Sequence, residues 1–70
     1  GTDDTFEQHE SAAVKRLAAA GIADCRRDAQ LLLMAAAQVD KSALIARGKD
    51  VCPSVAATRF EQMIARRIAG

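Results

Sequence analysis

Seven apolar residues in a row, Leu31-Leu32-Leu33-Met34-Ala35-Ala36-Ala37, constrain this chain more than any other feature. None is β-branched, and Leu, Met and Ala are strong helix formers. Wound at about 3.6 residues per turn, the run puts apolar side chains around most of a helix circumference, so it asks to be packed on several sides. It is too short to cross a membrane, which takes about 18 or more apolar residues. The segment is expected as the central, most buried helix of a small bundle. The rest of the chain must supply its neighbours.

Two amphipathic stretches and one short one do so. The first helix is expected near 4–20, with Phe6, Ala13, Leu17 and Ala20 recurring at helical spacing and Val14 widening the stripe. Thr5 with Gln8, or Asp4 with Glu7, has capping-box spacing, and the early acids, including the Asp3-Asp4 pair, suit the positive end of a helix dipole. Gly21 supplies the left-handed residue past the end, with Ile22 folding back on Leu17. Asp24 is expected to cap the second helix, near 25–38. Asp40 can cap a short third, near 41–47, with Leu44 and Ile45 inward and Gly48 stopping it. A loop follows at Lys49-Asp50-Val51. Cys52-Pro53-Ser54 opens the last helix, with Pro53 in its first turn, where a missing amide proton costs nothing. This helix runs to about Ala69. Phe60, Met63, Ile64 and Ile68 form its stripe, and Ala56 and Ala57 allow close approach. Short loops between amphipathic helices give an all-α fold, a compact antiparallel bundle of four helices, or five if the first is broken.

Composition agrees. Of 70 residues half are hydrophobic, 16 of them Ala, with one proline and only Phe6 and Phe60 as aromatics. So small a chain makes a single domain, and a core plus a cofactor-sized cleft exceeds its means. The formal net charge of +1 selects no polyanion globally. It is unevenly placed, however: residues 1–10 carry four acids and no base, and the remainder carries ten bases against five acids. Cys25 and Cys52 stand far apart with no zinc-type spacing, which reads as free, partly buried thiols in a reducing cytoplasm. Neither a membrane span nor a signal peptide is evident, and the expected setting is cytoplasmic. Gly1-Thr2 looks like an appended scar. The coincidence of the last residue with the end of the last helix suggests a cut at a domain boundary.

No catalytic, cofactor-binding or metal-ligating set emerges. Ser11, Ser42 and Ser54 lie in unrelated contexts, and His9, the sole histidine, reads as a solvated helix-face residue. Gly21, Gly48 and Gly70 fall at helix ends and form no phosphate-cradling loop. A carrier-protein role would rest on Ser42 alone, without an acidic surface. Arg26-Arg27, Lys41, Arg47, Lys49 and Arg66-Arg67 offer a basic face of the helix-turn-helix kind, but Asp24, Asp28, Asp40 and Asp50 are interleaved with them. A stand-alone nucleic-acid-binding module is the alternative reading.

The run Leu17-Ala18-Ala19-Ala20-Gly21-Ile22-Ala23-Asp24-Cys25-Arg26-Arg27-Asp28-Ala29-Gln30-Leu31-Leu32-Leu33 resembles the opening of the HemK/PrmC family, the peptide chain release factor glutamine methyltransferases. There an Ala-Gly-Ile-like helix end leads into Ser-Pro-Arg-x-Asp-Ala-Glu-x-Leu-Leu. Residues 59–70, Arg-Phe-Glu-Gln-Met-Ile-Ala-Arg-Arg-Ile-Ala-Gly, are similar to the family's fourth segment, which leads through Glu-Pro into the catalytic domain. Asp24-Cys25 replaces the usual Ser-Pro, and Gln38 stands where the second helix usually ends in Gly.

The resemblance implies a helical domain preceding a Rossmann-like methyltransferase domain absent from this chain. That second domain would hold S-adenosylmethionine and an Asn-Pro-Pro-Tyr motif, and would methylate the glutamine of the Gly-Gly-Gln motif of class I release factors. This chain would then help to dock the release factor without being catalytic alone. Its expected partners are the release factor and the parent's own methyltransferase domain, with no membrane. Docking by exposed polar side chains on a rigid platform nominates Arg27, Lys41, Arg66 and Arg67. For Asp28 and for Arg66-Arg67, complementing helix dipoles is a sufficient structural role. A purely structural spacer is a third reading.

Overall fold

The computed structural model describes residues 4–70, so Gly1-Thr2 and the capping role expected of Asp3 lie outside the described residues. Four helices follow in order: α1 (Phe6–Ala19), α2 (Cys25–Ala37), α3 (Lys41–Ala46) and α4 (Ser54–Ala69). Strand structure among the described residues amounts to one isolated antiparallel bridge, Thr5 with Val51. The all-α expectation holds, with α1 unbroken and four helices rather than five.

The helix ends follow from local chemistry. Of the two capping boxes open to α1, Thr5 and Gln8 form theirs: the Gln8 amide N–H donates to Thr5 Oγ1 (3.2 Å) and the Thr5 N–H to Gln8 Oε1 (2.8 Å). At its other end Gly21 adopts φ 83°, the Ile22 N–H donates to the Leu17 carbonyl (3.1 Å) and the Gly21 N–H to the Ala18 carbonyl (3.0 Å). That is the Schellman pair. α2 ends in the same way, with the Val39 N–H on the Met34 carbonyl (3.0 Å), but the left-handed residue is Gln38, at φ 58°. Asp40 caps α3 as expected, accepting from the Ala43 N–H at 2.7 Å. Two caps differ from expectation. Asp24 stands at the N-cap of α2 but its side chain makes no capping bond, because its backbone (φ −99°, ψ 53°) is not extended. Pro53 is the N-cap of α4 rather than a first-turn residue, with ψ 145° still extended.

The core is one cluster in which α2 packs against both α1 and α4. Leu17, Leu33, Phe60 and Ile64 are its largest fully enclosed side chains. Small Ala13, Ala29, Ala36 and Ala56 let the helix axes approach between them. α2 is the central helix, as expected, but it is not enclosed all round. It buries only the Ala29, Leu33 and Ala36 face, and Leu31 is 50% exposed. Three neighbours of such short length cannot surround a fourth helix, so part of its apolar surplus faces outward. Ile45 also points out, at 66% exposed, leaving Leu44 as the inward residue of α3, and Ile68 is exposed at the end of α4.

A second set of contacts closes the molecule through backbone. The Phe6 N–H donates to the Asp50 carbonyl (3.1 Å), Glu7 N–H to Gly48 (2.9 Å) and Cys52 N–H to Asp4 (3.0 Å). Phe6 and Glu7 are the first residues of α1, whose amides have no partner within their own helix. The turn after α3 supplies the missing acceptors. Gly48 is buried there, and a Cβ on it would lie 2.6 Å from Glu7 Oε2 and 3.0 Å from Glu7 Cγ, so a larger residue requires the exposed Glu7 side chain to move.

Candidate partner-docking surface

Among the described residues no polar or charged side chain is buried, and no group of three or more His, Cys, Asp or Glu is placed to hold a metal ion. Ser11, Ser42 and Ser54 are exposed and scattered over three helices. His9 is half-buried rather than fully solvated, its ring edge-on to Phe60 at 6.5 Å between centroids, so it pads the core rim. Both cysteines are free thiols. Burial raises the Cys52 thiol above its ordinary value, which keeps it protonated at neutral pH.

The distinctive surface lies where α4 ends against the start of α2. Arg67 Nε donates to Asp28 Oδ2 at 3.1 Å, joining the last turn of α4 to the first turn of α2. Leu32, one turn further along α2, shares a hollow with Met63, one turn back along α4. The residue numbers therefore run in opposite directions along the seam, and the two helices are antiparallel. The hollow is open, about 340 Å³, with Leu32 and Met63 as an apolar floor and Arg66, Arg67 and Gly70 around it. Leu32 and Met63 are half-buried against the core, so the floor is fixed by the fold.

Of the four docking candidates, Arg66 and Arg67 come together here. Arg27 stands at the same end of α2, in a neighbouring hollow with Asp24, Arg26 and Gln30. Lys41 does not join them. It follows the far end of α2, beyond Gln38, and ten residues of helix, about 15 Å, separate Asp28 from that end. The basic face that the sequence suggested is thus divided between two ends of the bundle. Sequence reasoning missed the floor of the hollow. The signal was present: α2 carries more apolar residues than one buried face uses, and that surplus includes Leu32. Asp28 was assigned to the helix dipole alone, yet it also fixes Arg67.

A third hollow, about 370 Å³, lies between α1, α2 and α3, with Glu7, Glu10, Arg26 and Gln30 among its walls. Its charges are of mixed sign. No described helix is long and apolar enough to cross a membrane.

The fold and this surface define a small all-helical domain that carries an open, cation-rimmed apolar hollow between α2 and α4. The chain belongs to the family of PrmC N-terminal domains, matched over residues 11–70. It is 48% identical over 58 residues to the release factor glutamine methyltransferase of Cereibacter sphaeroides. That alignment takes in 83% of this chain and 21% of the methyltransferase, so the chain spans about a fifth of that relative's length. No solved structure matches the chain significantly.

Proposed function

We propose that this chain is the release-factor-docking part of a protein methyltransferase that modifies the glutamine of the Gly-Gly-Gln motif in class I release factors. The observation that carries the reading is the 48% identity to a release factor glutamine methyltransferase over nearly the whole helical bundle. The physical properties of the domain support a docking role. Its helices pack on one buried core and are linked at the surface by Arg16–Glu61 and Arg67–Asp28, and it presents exposed arginines on that frame. A large protein substrate gains binding energy from surfaces remote from the reacting atom, and a rigid helical platform suits that use.

S-adenosylmethionine belongs, on this reading, to a second, Rossmann-like domain. The residues of this chain do not fit it: Gly21, Gly48 and Gly70 stand at three separate helix ends, so no glycine loop cradles a nucleotide. No step of methyl transfer runs through this chain. The setting is cytoplasmic, where release factors act.

The test is a titration of the isotope-labelled 70-residue chain, followed by amide resonances. A class I release factor is expected to shift a contiguous set of them, and duplex DNA to leave them unmoved. Response to DNA alone, with steep salt dependence, would replace this reading with a nucleic-acid module. Incubation of the purified chain with release factor and S-adenosylmethionine is expected to give no methylated glutamine.

A further inference from the structure

We propose that the hollow between α2 and α4 takes a protein segment bearing an apolar side chain next to a carboxylate. The inference rests on the docking reading and specifies the chemistry of the partner at that surface.

Three observations carry it. The floor is apolar and held in place, since Leu32 and Met63 both pack on the core from half-buried positions. Methionine adapts its shape to an incoming side chain at little cost. The rim is cationic and partly fixed. Arg67 uses Nε on Asp28, at 3.1 Å, which ties it to α2 and leaves its two terminal nitrogens to donate elsewhere. Arg66 makes no ion pair with a described residue and is exposed. A cation at a helix C-terminus complements the dipole, but that role calls for no apolar floor beneath it.

Charge complementarity chooses the occupant. Asp28 is the acid at this seam and it is engaged with Arg67, so the surplus at the rim is positive. A phosphate backbone would satisfy the arginines and leave Leu32 and Met63 uncovered. An apolar peptide without a carboxylate would desolvate Arg66 with nothing to pair it. A Leu, Ile or Phe flanked by Asp or Glu satisfies both. The hollow bounded by Glu7, Glu10 and Arg26 offers no such preference.

The test is Arg66→Glu in the full-length enzyme, with release factor as the varied substrate. Arg66 is exposed, so the fold should survive, and an unchanged circular dichroism melt checks that. The expected result is a KM for release factor raised about tenfold with kcat unchanged, as for loss of binding energy common to ground and transition states. Arg66→Lys should restore most of the affinity. Leu32→Asn should raise KM as well, without the salt dependence that the charge reversal removes. An unchanged KM for both Arg66→Glu and Leu32→Asn overturns the proposal while leaving the docking reading intact, provided the labelled chain still responds to release factor. A fall in kcat at constant KM also overturns it, placing the hollow against the parent's own second domain. So does self-association of the chain that Arg66→Glu abolishes, which makes a second copy the occupant. If the labelled chain shows no response to release factor, the docking reading itself fails and this inference with it.

Discussion

Two parts of this molecule are held together by different means. The α1, α2 and α4 trio is joined by interlocking side chains, with Leu17, Leu33, Phe60 and Ile64 fully enclosed. The arc from Asp40 to Val51, containing α3, contributes only Leu44 to the core from its helix, and is secured by amide-to-carbonyl bonds to the first turn of α1. Side-chain packing tolerates no loss of volume. Backbone tethering tolerates almost any side chain, and even at Gly48 a Cβ would meet only the exposed Glu7 side chain. The difference predicts where mutations will be costly and of what kind.

The largest effect should come from the trio. Phe60→Ala empties the centre of the core and should cost about 3–5 kcal/mol, comparable to the whole stability of a domain this small. Urea denaturation should find the variant largely unfolded at 25 °C. Retained cooperative unfolding near the wild-type midpoint would break the comparison. In the arc, Gly48→Ala should cost about 1 kcal/mol or less, because what a Cβ meets there is the exposed Glu7 side chain, which can swing aside. Glu7→Ala should recover most of that in the double variant, since two groups in contact are not additive. Additive costs would mean that the glycine serves backbone freedom instead. At the junction of the two parts, Gln38→Gly should stabilise by about 0.5–1 kcal/mol, because a left-handed φ costs Gln more than Gly. A higher melting temperature is the check. Smallest is a pH effect at Cys52, which lies beneath the tether. Its raised value means the folded state keeps a proton that the unfolded chain releases. Its contribution is therefore complete below the ordinary thiol value and is lost as pH rises through the folded value. Stability should slope downward in the alkaline range, and Cys52→Ala should flatten that slope.

Much of the trio was legible in the sequence, because helix periodicity is written in side chains. The stripes Phe6, Ala13, Leu17 and Phe60, Ile64 were read directly, as were Gly21 and Asp40 as punctuation. What the sequence concealed has two physical sources. One is ambiguity of direction. An all-round apolar helix such as α2 does not say which face is spare, so nothing in the sequence marks Leu32, which packs at the edge of the core, as the floor of a surface hollow. Ile45 was misplaced for the same reason. The other is that backbone bonds carry no residue signature. Nothing about Asp50 or Asp4 announces that its carbonyl accepts from a residue far along the chain. Of the docking candidates, Arg66 and Arg67 are adjacent in sequence and so stay together. Grouping Arg27 and Lys41 with them needed the path of α2, which the sequence leaves open.

The Thr5–Val51 bridge also bears on the order of events in folding. The chain between its two residues includes α1, α2 and α3, so the bridge can close only after most of the polypeptide has been gathered. The helices, and the packing of α2 on α1, form from nearer contacts and need not wait for it, whereas α1 meets α4 across comparable separations, as in Arg16–Glu61. The bridge should be among the last joints to set and, being isolated and outside the packed core, among the first to open in native fluctuations. Slow-exchanging amides are then expected in α2 and α4, and fast exchange at Phe6, Glu7 and Cys52. Trimming the chain ahead of Phe6 would remove the bridge and the Cys52–Asp4 bond, yet leave the arc held to α1 by the Phe6–Asp50 and Glu7–Gly48 bonds and by Leu44 in the core.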